Sequence, residues 1–154
     1  MAQNSKKDQI AHAALPLFLE FGFKGSSVDM VVKSAGVSKP TVYNHFPDKA
    51  ALLCYVLEVW LRDQTAPRLE ADTLADLADK LDQDCFSPTS LGLYRLVIGE
   101  NGRCPAAKVC FLAGFDRPWR DELKRWALER GFDPQPIEAH FSHLLLRHLF
   151  DGTL

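Results

Sequence analysis

Lys39, Thr41, Tyr43, Asn44 and His45 fall within a stretch of seven residues. Together they offer a cation, two hydroxyls, an amide and an imidazole, a set suited to phosphate oxygens and to base edges in a major groove. Val42 and Phe46 interrupt them four apart, the spacing that turns two apolar side chains toward one side of a helix. The polar residues are then left on the other side. Directly before them, Ala35-Gly36-Val37-Ser38 has the composition of a tight turn between helices. Gly36 gives the backbone freedom, Val37 fills the angle, and Ser38 can cap the helix that follows. The same helix-turn-helix shape also occurs in bundles that bind no nucleic acid, so turn chemistry alone leaves both readings standing.

The remaining reactive side chains are scattered. His140 and His143 could share a helix face as a metal pair, but no third ligand is evident, and no metal is expected. Cys54, Cys85, Cys104 and Cys110 form no C-x-x-C pair, which fits idle thiols in a reducing compartment. A Ser-His-Asp order, an H-E-x-x-H stretch and a Gly-rich phosphate loop are all missing, so neither an enzyme nor a cofactor is expected. A small helical enzyme and a helical adaptor that binds protein remain as alternatives.

The elements that must position the polar face are helices. Apolar residues recur at helical spacing almost everywhere, and no β-branched alternation runs long enough for a sheet, so the fold class is all-α. The spacing predicts a first helix over 5–21 ending at Gly22, with a kink at Pro16. Ser26-Ser27 should cap a second helix ending at Gly36. Ser38 should cap a third through the amide of Thr41, since Pro40 has none. Pro47-Asp48 should start a long fourth helix over 49–64. Further helices are expected over 69–84, 89–99, 106–114, 119–130 and 137–150, separated by Pro88, Gly102/Pro105, Pro118 and Gly131/Pro134/Pro136.

The chain has 154 residues and a net charge of −2, so bulk charge does not announce a polyanion partner. The distribution does: residues 1–50 hold six Lys against four acids, and the rest is net acidic. Nucleic-acid contact is therefore expected at the front. The apolar run after Lys6-Lys7 is interrupted by Glu20, has no small-residue cleavage site and is too short to span a bilayer. A cytoplasmic protein with no membrane partner is expected.

With the order Ala13-Ala14, Leu17-Phe18, Gly22-Phe23, Ser26-Ser27-Val28, Ala35-Gly36-Val37-Ser38, Thr41-Val42-Tyr43-Asn44-His45-Phe46, Lys49 and Leu52, residues 10–52 resemble the DNA-binding domain of the TetR (tetracycline repressor) family. Pro16, Met30 and Val32 depart from the usual pattern without touching the outward face of the third helix. The segment 93–100 with Pro105 resembles the R-L-V-I-x-E…P pattern of one group in that family, and Asp133-Pro134 with Ala139-x-Phe141 resembles its dimerising helices. The chain is short for the family, consistent with a trimmed terminal helix.

The resemblance implies a helix-turn-helix domain at 1–48 and a helical effector-binding and dimerisation domain at 49–154. It implies a homodimeric, ligand-responsive regulator, a repressor, on a pseudo-palindromic double-stranded operator. Ser27, Tyr43 and His45 would hold phosphates, Lys49 would clamp the backbone, and Lys39, Pro40 and Thr41 would lie nearest the bases, with Asn44 between. Lys6 and Lys7 are either phosphate contacts or a solvated terminus. A small-molecule effector would lie between helices four and seven, against Trp60, Phe86, Tyr94, Val97, Phe111, Phe115 and Trp119. Arg95 and Glu100 are either a buried pair or groups that orient the effector. Trp126, Leu128, Phe141, Leu144, Leu145 and Leu149 exceed what a monomer of this size should bury and are expected at the two-fold interface. Neither Lys39 nor Lys49 is assigned to the core.

Overall fold

The computed structural model describes residues 5–100 and 102–150, which are helical and connected by short loops, with no strand among them. α1 (Lys6–Gly25) begins where the Ser5 hydroxyl accepts the Asp8 N–H at 3.1 Å. Pro16 lies on its exposed side, and the dihedrals stay helical there. The expected kink occurs instead at Gly22, whose φ of 70° and ψ of 178° break the helical path where a stop was expected. Only a residue without Cβ takes that conformation readily.

α2 (Val28–Ala35) starts at Ser27, which accepts the Met30 N–H, and closes at Gly36 with φ 65° and ψ 36°. α3 (Lys39–His45) starts at Ser38, which accepts the Thr41 N–H at 3.2 Å. α4 (Lys49–Arg62) is capped by Asp48, which accepts the Ala51 N–H at 2.7 Å. α1 packs on α2 and α4, and α2 on α3. Ile10, Ala14, Phe18, Val42, Leu52 and Leu53 are almost wholly buried in this region. Each of the larger side chains contributes about 1.5–3 kcal/mol through its removal from water.

The later helices depart from expectation at their edges. α5 (Leu74–Lys80) begins five residues late because Thr73 and Asp76 form a reciprocal capping box, and it runs into a wider π-turn over Leu81–Cys85. Leu69 and Ala71 are buried nonetheless, outside any helix. Their backbone is held by the Glu122 carboxylate, which accepts the Leu69 N–H, and by the Trp126 indole N–H donated to the Ala71 carbonyl. α6 (Pro88–Gly99) follows, then α7 (Pro105–Phe111) with a π-turn over Leu112–Asp116 that leads directly into α8 (Arg117–Glu129). Pro118 therefore separates nothing. It sits in the first turn of α8, directly after the π-turn. α9 (Pro134–Phe150) ends the described chain.

Two compact units result: residues 1–64 with 96–111, and residues 65–95 with 112–154. Within the first unit α4 packs on α1 and on α7. In the first unit Trp60 stacks on Phe111 with centroids 6.0 Å apart. In the second, Phe86 lies against Phe141 at 5.3 Å.

Candidate nucleic-acid interface

The left-handed Gly36 and the Ser38 side-chain cap form the turn between α2 and α3, and longer contacts hold the surrounding helices. Gln9 donates its amide to the Ala35 carbonyl at 2.9 Å, satisfying the end of α2 from α1. The Ser26 hydroxyl lies 2.6 Å from the Gly22 carbonyl and 3.0 Å from that of Leu17, fastening the corner between α1 and α2. With Val42 and Phe46 buried beneath it, α3 presents its opposite side outward.

That side carries the expected residues. Lys39, Pro40, Asn44 and His45 are exposed, Thr41 is half-buried, and Tyr43 is 48% exposed. The Thr41 hydroxyl lies 2.7 Å from that of Ser38. Ser27 is exposed at the start of α2, and its hydroxyl oxygen already accepts the Met30 N–H, which leaves the hydroxyl proton to donate outward.

Lys49 also has a partner within the chain. Its ammonium donates to the Ser26 carbonyl at 2.8 Å and lies 4.6 Å above the Phe23 ring, so it braces the α1–α2 corner. Lys7 is drawn to the Tyr55 and Phe46 rings, 4.0 and 5.5 Å from their centroids, and Lys6 donates to Gln9.

Asp29 was not among the expected site residues. Its carboxylate lies 2.9 Å from the Lys39 ammonium. The hydrogen bond to Asp29, and then the charge of that carboxylate, push the Lys39 ammonium above its ordinary range. Sequence offered only two opposite charges ten residues apart across a turn, a spacing no periodicity rule singles out. On α1, Asp8 accepts from the Tyr55 hydroxyl and from Arg62, each at 2.8 Å. Those two donors hold its carboxyl below the usual carboxylate range and tie the start of α1 to α4.

The candidate effector residues divide between the units. Trp60, Val97 and Phe111 lie in the first, where Val97 and Phe111 are buried. Phe86, Tyr94, Phe115 and Trp119 lie in the second. There Tyr94, Phe115 and Trp119 meet edge to face, and the Tyr94 hydroxyl donates to Asp116, which also accepts from Arg120. Arg95 and Glu100 serve separate ends: Arg95 donates to the His148 and Leu149 carbonyls at the end of α9, and Glu100 accepts from Arg103.

The apolar excess assigned to a two-fold face is largely consumed by the chain's own core. Trp126, Phe141, Leu144 and Leu145 are buried, Trp126 stacking on Phe132 at 5.7 Å, while Leu149 is half-buried and Leu128 is 59% exposed. Periodicity identified an apolar face but could not say what covers it. His140 and His143 are both exposed on α9, and among the described residues no group of three or more His, Cys, Asp or Glu could hold a metal. No described helix is long and apolar enough to cross a membrane.

A short helix with an exposed polar face, seated on a glycine turn and a three-helix support, defines a helix-turn-helix protein. Residues 10–56 match the family described as bacterial regulatory proteins, tetR family. The chain is 33% identical to the flavonoid-responsive regulator FrrA over 87% of its own length and 74% of that chain, with a TM-score of 0.56. It belongs to the TetR family of bacterial transcriptional regulators, and its relatives are regulators rather than enzymes. The HTH-type transcriptional regulator RutR of Escherichia coli K12 is 37% identical over 82 residues, 51% of this chain. The match spans only 39% of the length of RutR. A TetR-family regulator from Mesorhizobium loti shares the fold across 97% of this chain and 85% of its own, with a TM-score of 0.68 and 24% identity.

Proposed function

We propose that the chain is a cytoplasmic, ligand-responsive repressor that binds a pseudo-palindromic DNA operator as a homodimer and is released by a small-molecule effector. The observation that carries this is the outward face of α3, where a cation, hydroxyls, an amide and an imidazole stand exposed over a rigid support. Ser27, Tyr43 and His45 contact phosphates, and the N-terminus of α2 adds its partial positive charge behind Ser27. Lys39, Pro40 and Thr41 face base edges, with Asn44 between the two roles. Lys49 keeps two further ammonium hydrogens for a phosphate beside the one donated to Ser26.

Two such faces, set by a two-fold axis, read successive major grooves about 34–36 Å apart. Leu128, Leu146 and Phe150, all more than half exposed on α8 and α9, are the apolar residues this assembly would cover. A small aromatic or apolar effector is received by the cluster of Tyr94, Phe115 and Trp119, and favours a dimer whose α3 helices no longer match the grooves.

Fluorescence anisotropy against duplexes recovered by the protein from a random-sequence pool tests the reading. Tight binding whose logarithm falls linearly with the logarithm of salt concentration is the expected result. Failure to bind any duplex at low salt would leave the helix-turn-helix as a shape only and favour a protein-binding adaptor.

A further inference from the structure

Asp29 stands in the first turn of α2, and the ammonium of Lys39, the residue that begins α3, lies 2.9 Å from its Oδ1. Both side chains are well exposed, at 71% and 52%, so the pair is not required by the core. A carboxylate is out of place on a surface that meets phosphates. Asp29 is two residues from Ser27, and unmasked it would repel the same backbone that Ser27 grips.

We propose that Asp29 is a specificity-determining residue that acts through Lys39, holding its ammonium at the turn until a base edge with paired acceptors draws it away. The inference rests on the DNA-binding reading above. On unmatched DNA the pair with Asp29 competes with single phosphates for Lys39, and while it holds, the neutral pair displaces no counterion from the duplex. Opposite a guanine, O6 and N7 together replace the single carboxylate, and Lys39 transfers to them. The exchange is feasible because an ion pair this exposed is weak. Without Asp29, the long and flexible Lys39 side chain would settle on whichever phosphate is nearest, adding affinity with no sequence information.

The test compares two duplexes by anisotropy over a range of salt: one recovered by the wild-type protein from a random pool, and one of the same composition in shuffled order. Asp29→Asn should bind the shuffled duplex about two- to fivefold tighter per chain. Its salt slope on that duplex should steepen by about one unit per chain. Affinity for the recovered duplex should change less, so the ratio between the two narrows. Asp29→Glu, which can restore the pair, should restore the ratio, and in a Lys39→Ala background Asp29→Asn should lose most of its effect. The proposal is overturned if Asp29→Asn weakens both duplexes equally while lowering the melting temperature, which would make Asp29 only an acid that supports the first turn of α2. An unchanged ratio overturns it as well, while wild-type binding to neither duplex at low salt removes the DNA-binding reading on which it stands.

Discussion

Replacing Lys49 by Ala removes a side chain that joins two structures at once. Its ammonium is the hydrogen-bond donor to the carbonyl of Ser26, a residue only 3% exposed, and lies 4.6 Å above the Phe23 ring. A hydrogen bond to a charged group contributes about 1.5–3 kcal/mol, and the partial exposure of Lys49 places this one near the lower end. The ring contact adds about 0.5–1 kcal/mol. Together they predict a loss of about 2 kcal/mol. In a chain of this size each kcal/mol moves the midpoint about 2–4 °C, so thermal unfolding followed by circular dichroism should shift down by about 4–8 °C. Lys49→Met keeps the aliphatic stem on Phe23 without the charge or the donor, and should recover less than half of that shift. A Lys49→Ala midpoint within about 1 °C of the parent would refute the bracing role. DNA binding supplies the second measurement: affinity should fall alike for all duplexes, with a salt slope shallower by about one unit per chain. A lower midpoint with an unchanged slope would leave Lys49 a brace and nothing more.

Lys39→Ala should reduce discrimination between the recovered and shuffled duplexes by about 1–3 kcal/mol per half-site if Lys39 meets a guanine, and equal losses on both would refute base contact. Gly36→Ala should destabilise by about 1–2 kcal/mol in urea unfolding. Nothing lies within 4 Å of the added Cβ, so the penalty is the left-handed backbone alone, and Gly36→Asn should be milder. Asp8, held below the ordinary carboxylate range first by Tyr55 and then by Arg62, contributes stability above that range and loses it as pH falls through its lowered value. The unfolding curves of the parent and of Asp8→Asn should therefore converge in acid. A constant gap at all pH values would show that Asp8 does not titrate with folding.

The local parts of the head were legible in sequence because their causes are local. Ser27, Ser38 and Asp48 each cap a helix that starts within one residue of them, and Gly36 adopts the left-handed conformation its position required. The outward set on α3 followed from the four-residue spacing of Val42 and Phe46 alone. What sequence could not supply were partners distant along the chain. Leu69 fits the helical stripe that continues through Leu77, yet it lies outside any helix, where Glu122 and Trp126, more than fifty residues later, hold the backbone of this segment. Trp126 and Phe141 show the same limit from the other side. An apolar face reads identically whether its own chain or a second copy covers it.

The grouping of residues 96–111 with 1–64 has a consequence for how the protein is made. When residue 64 leaves the ribosome, the face of α4 that will receive α7 is still bare. Phe111, which will stack on Trp60, does not yet exist, nor does Cys104, whose buried thiol neighbours Cys54. At about 5–20 residues per second the missing stretch takes about 2–10 s to synthesise. During that interval the three front helices are present without their full support, so the nascent chain is vulnerable to proteolysis after its recognition helix has been made and before that helix has a finished base. A helix-turn-helix assembled in this order gains its finished base late, from a segment translated well after the helices it supports.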